Sequence, residues 1–342
     1  MGDGPRQIGR RALFGRLLPQ APEAGHWVKV HRTAMACRFE VTLPSEDARH
    51  VDAARAALDE VDAIEAGLTW LRDASEVSRV NRSAASAPVA VGPSLFALLS
   101  LCRELHAATG GAFDPATTAL SRCWGFLDRR PRPAPEGRPG PSRGVPGPEE
   151  IAAARARSGL DKMTADGLSR TVRFAVPGVE INLGAVGKGW ALDRVAATLR
   201  VHGVFRALLT AGGSSHRGWG GEAWELALRP GGEDLGLVRL RDAALGTSAA
   251  GEQPILDPRT GWPAEGVRSA SVVASEAAVA DALSTAFLVG GPELAGPFCA
   301  ARPGTMALLV TDARPRQLLL FGRRDGVTVE PATGIRLVEA PA

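Results

Sequence analysis

The segment EAAVADALSTAFLVGG, residues 276–291, predicts a helix that is apolar on almost every face and is therefore buried. Asp281 and Thr285 interrupt this apolar surface, and their spacing of four residues places both side chains on one face of the helix. A buried carboxylate without a partner is costly. A Mg²⁺ ion, which takes hard oxygen ligands, provides that partner, and a solvent-exposed aspartate with an incidental threonine is the alternative.

Strands and helices alternate irregularly around this segment, without the strict βαβ order of a parallel sheet. This mixed order predicts an α+β fold with mixed, largely antiparallel sheets packed with helices. The predicted strands and hairpins are 29–44, 162–178, 179–183, a strand in 203–220 that ends at Gly212-Gly213, 224–229, 235–240, a short strand and turn in 245–266, 269–274 and 305–310. The predicted helices are 46–68, a short one capped by Ser75, 93–109, 149–158, 187–200, 276–290 and 292–300.

The segment composition divides the chain into three parts. Residues 1–28 predict a loose leader, 29–312 the main domain and 313–342 a terminal extension, while the Pro-, Gly- and Arg-rich residues 129–149 predict a disordered insertion. In the leader, GRRALFGRLLP (9–19) is interrupted by Arg16 and ends at Pro19, so it lacks the apolar core of a signal peptide. We therefore expect a cytoplasmic protein.

Composition excludes several classes of function. The net charge of +3 is small and dispersed, which argues against a nucleic-acid partner. No apolar run is long enough to predict a membrane span. The four cysteines and six histidines lack the spacing of zinc ligands.

The segment NLGAVGKGW (182–190) places three glycines between a predicted strand and a predicted helix. Glycines let a backbone approach a ligand closely, and the helix N-terminus together with Lys188 suits a phosphate. A tight turn with a surface lysine is an equally good interpretation. Three further glycine-containing turns have either a structural or a binding role: GGAFDPATTAL (110–120), LLTAGGSS (208–215) and ILDPRTGWP (255–263).

Taken together, seven ordered motifs resemble the ApbE-type flavin transferases, the FAD:protein FMN transferases. The motifs are AMACRFEV (34–41), TWLRDASEVSRVN (69–81), GAFDPATTAL (111–120) with WGF (124–126), NLGAVGKGWALDR (182–194), AGGSS (211–215), ILDPRTGWP (255–263) and ADALSTA (280–286). The resemblance spans roughly residues 30–310 and implies an ApbE-like, two-lobed single domain. Trp70 stands where the family pattern has Tyr, Ala36 where it has Gly, and Ser214 where it has Asp.

The resemblance implies Mg²⁺-dependent chemistry with FAD as the substrate. The pyrophosphate is split, AMP leaves, and FMN is joined through its phosphate to a Thr or Ser hydroxyl of an acceptor flavoprotein. By this resemblance, Asp281, Thr285 and the carbonyl of Ala185 are the metal ligands, and Asp281 and Lys188 are the catalytic residues. The residues implied to bind FAD are Met35, Trp70, Ala112, Phe113, Asp114, Asn182, Lys188 and Ile255.

One position keeps other functions open. The family pattern has His immediately before the ILDP motif, where this chain has Pro254, and proline neither takes up a proton nor donates an N–H. An FAD pyrophosphatase, which would produce FMN and AMP, and a non-catalytic flavin-binding protein are therefore alternatives to the transferase. A serine hydrolase using Ser214 or Ser215 with His216 is disfavoured, because the G-x-S-x-G elbow is missing.

Overall fold

The computed structural model describes residues 26–127, 144–251, 254–312 and 316–340. The predicted leader lies almost wholly outside these residues, as does most of the predicted insertion. In the described part of the chain, the helices are α1 (Val51–Leu68), α2 (Glu76–Ser83), α3 (Pro93–Ala108), α4 (Thr118–Cys123), α5 (Pro148–Ala156), α6 (Gly187–Val201) and α7 (Ala277–Ala301). Ser75 caps α2 as predicted, since its hydroxyl accepts a hydrogen bond from the Ser78 N–H.

Fifteen strands lie in the described residues. They are β1 (Trp27–Ala34), β2 (Cys37–Pro44), β3 (Val89–Ala90), β4 (Met163–Asp166), β5 (Thr171–Phe174), β6 (Ala207–Ala211), β7 (Ser215–Trp219), β8 (Trp224–Leu228), β9 (Gly236–Leu240), β10 (Ala243–Ala249), β11 (Val267–Ala274), β12 (Met306–Thr311), β13 (Gln317–Gly322), β14 (Val327–Pro331) and β15 (Arg336–Glu339). Nine form one sheet in the order β1-β2-β6-β7-β10-β11-β12-β13-β15. All of its neighbours are antiparallel except β13 and β15, which confirms the predicted α+β class.

Both faces of the large sheet are covered. Ala307 and Leu309 of β12 point to the helical side, whereas Met306, Leu308 and Val310 pack with the small sheet β14-β9-β8. This alternation is what a strand of period two gives when both its faces are buried. The other small sheet, β3-β5-β4, includes the predicted hairpin at 162–178 and contributes to the core on the helical side.

Helix α7 is the central element on the helical side, as its apolar sequence predicts. It packs against strands β10 and β11 and against helix α6. Its backbone leaves the helical conformation at Gly291 (φ 65°), which is the break between the two predicted helices, and Pro292 follows directly. Among the described residues, no helix combines the length and the apolar character needed to span a membrane.

Two predicted strands are corrected by the structure, and a third gains a partner strand. The predicted strand 29–44 is the hairpin β1–β2, which turns at Met35 and Ala36. The strand predicted to end at Gly212-Gly213 is β6, and the residues after these glycines form β7, which pairs with it. Met35 and Ala36 both have positive φ, a conformation that these residue types do not signal in a sequence. The predicted strand 179–183 is irregular, because the Asn81 side chain takes the place of a neighbouring strand: it accepts from the Ile181 N–H and donates to the Ile181 carbonyl.

The segment that we assigned to a terminal extension lies in the same body as the rest. Strand β13 pairs with β12, β15 pairs with β13, and β14 pairs with β9. Leu318 is fully buried and Phe321 is nearly so. The boundary after residue 312 stays a prediction, but the residues beyond it complete two sheets.

Candidate active site

A cavity of about 470 Å³ lies where α7, the start of α6, the end of β10 and the turn before α4 meet. Every residue predicted for the site lines this cavity except Met35 and Trp70. The predicted residues brought together are Ala112, Phe113, Asp114, Asn182, Ala185, Lys188, Ile255, Asp281 and Thr285.

Asp281 is the buried charge of the cavity, with 6% of its surface exposed. Its Oδ2 accepts hydrogen bonds from the Gly189 N–H (2.8 Å) and from the Ser215 hydroxyl (2.9 Å). Its Oδ1 accepts none from the described part of the chain. Burial raises the pKa of Asp281 to about 7, and the nearby charge of Lys188 together with the two hydrogen bonds opposes this rise. One carboxylate oxygen is therefore fixed and the other is available.

Two glycines allow α7 to reach this position. A Cβ on Gly189 of α6 would lie 2.2 Å from the Ala277 carbonyl oxygen, and one on Gly246 of β10 would lie 2.5 Å from the Asp281 nitrogen. A real Cβ does not approach another heavy atom so closely, so both positions require glycine. The two contacts hold the Asp281 turn of α7 between a helix and a strand.

The N-terminus of α7 is capped by a residue of α6. The Asp193 carboxylate accepts from the N–H groups of Ala277 and Ala278, both at 2.9 Å, and is also paired with Arg217. A carboxylate at this end of a helix satisfies free N–H groups and complements the helix dipole. Asp193 thus ties α7 to α6 one turn before Asp281.

Lys188 brings a positive charge into the same cavity. It lies in the first turn of α6, and its Nζ donates to the Ser214 hydroxyl at 2.7 Å. Among the described residues no carboxylate lies within ion-pair distance of Lys188. The cavity therefore contains a cation and an anion that are not paired with each other.

Hydroxyl groups surround Thr285, which is also a predicted metal ligand. Ser248 of β10 is hydrogen-bonded to Ser284 (2.8 Å) and to Thr285 (3.1 Å), and all three line the cavity. Thr285 Oγ1 also lies 3.4 Å from the Asp281 carbonyl, to which it donates. This part of the wall is a polar, uncharged surface beside the Asp281 carboxylate.

Asp114 and Asn182 use their side chains mainly to shape the loops of the cavity wall. Asp114 accepts from the N–H groups of Ala116 (2.7 Å) and Leu160 (3.0 Å), and the Asn182 side chain accepts from the Gly184 N–H. The Asp114 carboxylate also holds His106 at 3.2 Å, and this hydrogen bond raises the pKa of His106. Asp114 and Asn182 therefore stabilise the loops of the cavity wall, whether or not they also contact a ligand.

The structure places Met35 and Trp70 outside the cavity lining. The Met35 N–H donates to Glu65 of α1, and the Arg122 guanidinium lies 5.6 Å from the Trp70 ring centroid. Their assignment to FAD binding stays a prediction that rests on the resemblance alone.

Pro254 lines the cavity at the position where the family pattern has histidine. No imidazole is found among the described lining residues. His216, next to Ser215 in sequence, is 7% exposed. Its Nε2 lies 3.2 Å from the Gly213 carbonyl, and its Nδ1 has no hydrogen-bond partner in the described part of the chain. Burial lowers the pKa of His216 to about 4.

Sequence reasoning did not single out the hydroxyls of Ser248 and Ser284, and it considered Ser215 only for a serine hydrolase. Ser284 could have been found, because positions 281, 284 and 285 share one helix face. Ser215 and Ser248 lie on strands whose side-chain direction depends on register, and the sequence did not give that register.

The donor set restricts which metal ion could fit. No group of three or more His, Cys, Asp or Glu side chains able to hold a metal occurs among the described residues. One carboxylate oxygen, the Thr285 hydroxyl and the backbone at Ala185 suit a Mg²⁺ ion that takes its remaining ligands from water and phosphate oxygens. The residues present thus fit magnesium and do not form a zinc-type site.

The comparisons of this chain with known proteins agree on one family. The model of the ApbE family matches residues 35–310. The FAD:protein FMN transferase of Treponema pallidum is 31% identical over 291 residues, covering 75% of this chain and 77% of that protein. The FAD:protein FMN transferase of Rhodobacter capsulatus is 35% identical over 239 residues, covering 65% of this chain. That match spans 43% of the Rhodobacter protein, less than half of its length.

Solved structures agree on the fold. The ApbE protein from Thermotoga maritima has a TM-score of 0.73 and 25% identity, covering 90% of this chain and 97% of that one. The flavin transferase ApbE from Vibrio cholerae has a TM-score of 0.70 and 23% identity, covering 91% of this chain and 98% of that one.

Proposed function

The chain belongs to the ApbE family, and from this we propose that it is an FAD:protein FMN transferase whose reaction takes place in the cavity around Asp281 and Lys188. In this reaction a Thr or Ser hydroxyl oxygen of an acceptor flavoprotein bonds to the phosphorus of the FMN half of FAD. The pyrophosphate P–O bond breaks, AMP leaves with the bridging oxygen, and the hydroxyl proton is released. The named relatives support the transfer of a flavin group.

The observation that carries the proposal is the pair of separate charges in one cavity. Lys188 offers an ammonium group whose hydrogen-bond partner is a neutral hydroxyl, so its charge is available to a phosphate. Asp281 offers a fixed carboxylate with one uncommitted oxygen. A pyrophosphate with a bound cation requires both kinds of group side by side.

The residues that line the cavity would have different roles in this reaction. Asp281 and Thr285 would hold Mg²⁺ with the backbone of Ala185, and the ion would neutralise charge on the phosphates. Lys188 would bind a phosphate oxygen and stabilise the charge that develops on it. Phe113 and Ile255 form an apolar part of the cavity wall, and such a surface suits the flat rings of a flavin.

The test is an assay of FAD turnover by the full chain, with and without Mg²⁺ and with and without a candidate acceptor flavoprotein. AMP and FMN are quantified by chromatography, and protein-bound flavin is measured after denaturation. Mg²⁺-dependent AMP release with covalent flavin on the acceptor supports the proposal. FAD that stays intact under every condition contradicts it.

Pro254 favours a second candidate, an FAD pyrophosphatase acting at the same cavity. If the histidine of the family pattern assists the acceptor hydroxyl, a proline there leaves water as the attacking oxygen. AMP with an equal amount of free FMN, and no labelled acceptor, is the result that this second function predicts. FAD binding without AMP release would instead support a non-catalytic flavin-binding protein.

A further inference from the structure

The hairpin tip between β6 and β7 presents two adjacent hydroxyls to the two charges of the cavity. The Ser214 hydroxyl accepts from Lys188, and the Ser215 hydroxyl donates to Asp281. Adjacent residues of a regular strand point to opposite faces, so both can reach one site only because Ser214 belongs to the turn.

The conformation of the β6–β7 turn and its hydrogen bond to β10 determine where the Ser214 backbone lies. Gly212 and Gly213 have positive φ values of 60° and 72°, which sets the shape of the turn. The Ser214 carbonyl accepts from the Thr247 N–H of β10 at 2.8 Å, which ties the turn to the next strand. The backbone that carries the hydroxyl is therefore held in place, whereas the lysine that donates to this hydroxyl has a flexible four-carbon chain.

Without this acceptor, the lysine and the aspartate would attract each other. Both line the same cavity, and the charge of Lys188 already acts on the Asp281 carboxyl across the space between them. Opposite charges attract more strongly where water is partly excluded. A direct ion pair would occupy the free Oδ1 of Asp281 and would neutralise the ammonium group.

We propose that Ser214 is a positioning residue that keeps the Lys188 ammonium apart from the Asp281 carboxylate, so that the cavity presents one cationic pole to a phosphate and one anionic pole to a divalent cation. The separation itself is a property of the ligand-free chain. Its use for phosphate and cation rests on the function proposed above.

The separation can be tested without any ligand. The chain has three lysines, Lys29, Lys162 and Lys188, so a protein labelled with ¹⁵N-lysine gives three side-chain ammonium signals. The variant K188R assigns the signal of interest by its disappearance. In S214A we expect D281N to move the Lys188 signal strongly, because it removes the carboxylate of the pair. In the protein that retains Ser214 we expect D281N to move this signal much less.

A binding measurement then tests what the separation is for. Mn²⁺ affinity is measured by electron paramagnetic resonance on the protein without FAD, and FAD affinity by calorimetry without metal. We expect S214A to weaken both by about tenfold, since each ligand must break an ion pair formed in reduced dielectric. S214T retains the hydroxyl and is expected to stay within about twofold of wild type. The control S100A removes a helix hydroxyl that donates to the Phe96 carbonyl, away from the cavity.

The outcomes separate this inference from the proposed function. If D281N moves the Lys188 signal no more in S214A than in the protein that retains Ser214, no pair forms and the inference is overturned. If the pair forms but S214A binds Mn²⁺ and FAD like wild type, the positioning role is also refuted. If the wild-type chain binds neither probe while the pair still forms in S214A, the separation stands and the proposed function fails. Equal melting temperatures of S214A and S214T exclude misfolding as the cause of any loss.

Discussion

The carboxylate of Asp281 has two oxygens in different surroundings, and this asymmetry suggests its role. Oδ2 is held by a backbone N–H and a hydroxyl, which fix the direction in which Oδ1 points. A group fixed in this way needs no reorganisation when a cation binds. The energetic cost of burying the charge is visible in the raised pKa of Asp281, about 7.

Replacement of Asp281 by asparagine should abolish metal-linked chemistry while keeping the shape of the side chain. We expect D281N to reduce Mg²⁺-dependent AMP release from FAD by about a hundredfold or more, the usual effect of losing one well-placed electrostatic group. The measurement is AMP by chromatography at saturating FAD. The matched control is D52N, which changes an exposed carboxylate on α1. Equal AMP release by D281N and wild type would refute the metal assignment.

His216 should make the fold sensitive to acid. Its pKa in the folded protein is about 4, against an ordinary value of 6.5, because burial disfavours the charged ring. The unfolded chain therefore takes up a proton first as the pH falls below 6.5, and the free energy of unfolding decreases until the pH nears 4. Over this interval the loss is about 3 kcal/mol.

This loss can be isolated by comparing the urea unfolding of H216Q and wild type at pH 7 and at pH 4.5. We expect the stability difference between the two proteins to shift in favour of H216Q at the lower pH. Taking this difference removes the contributions of other groups, including Asp281, whose raised pKa acts in the opposite direction. H202Q, which changes an exposed histidine, is the control. A difference that does not vary with pH would show that His216 is charged or hydrated in the folded protein.

At the scale of elements, the contact between α6 and α7 depends on the absence of one side chain. The Gly189 N–H donates to Asp281, and the same glycine leaves room for the Ala277 carbonyl. We expect G189A to force the two helices apart, to cost about 1–3 kcal/mol and to reduce AMP release. At Gly187, two residues earlier in α6, an added Cβ would have no neighbour within 4 Å among the residues that the structure describes.

G187A is therefore the matched control for G189A in the same turn of the same helix. Alanine is a better helix former than glycine, so this variant should be neutral or slightly stabilising. Thermal unfolding by circular dichroism and the AMP assay measure both effects. A G189A protein as stable and as active as G187A would contradict the close packing of the two helices.

Some helices and strands of this molecule could be predicted from the sequence, and others could not. The apolar surface of residues 276–291 gave the buried helix, and the Asp281–Thr285 spacing gave one face of the cavity. The hairpin at Met35 and Ala36 was missed because positive φ at these residues is imposed by pairing over β1 and β2. The irregular path of residues 179–183 was missed because its partner is a side chain, Asn81, 100 residues away in sequence.

At the scale of the whole molecule, the site is assembled from segments that are far apart in sequence. Lys188, Ser214, Ser248 and Asp281 meet because α6, the β6–β7 turn, β10 and α7 surround one cavity. Individual motifs singled out the start of α6, the β6–β7 turn and α7, but none of them included β10. They could not predict that a serine, and not a carboxylate, would be the partner of Lys188, since this depends on the tertiary arrangement.

The described residues beyond 312 should be needed for the stability of the whole fold. Deleting 313–342 removes β13, leaves β12 as an exposed edge and uncovers two core clusters that include Leu318 and Phe321. Two large buried side chains alone contribute about 4–8 kcal/mol. We expect the truncated protein to be insoluble or to melt at least about 10 °C below the full chain.

A second truncation, which deletes 323–342, distinguishes the loss of the core from the loss of the chain end. It retains β13 and removes β14 and β15, whose apolar residues Val327, Val329 and Leu337 are only partly buried. We expect it to melt between the full chain and the 1–312 protein, because the β12 edge stays paired. Circular dichroism and the FAD assay on all three proteins make the comparison. If the 1–312 protein melts and turns over FAD like the full chain, residues 313–342 are a dispensable extension, and the sheet pairing described here does not contribute to stability.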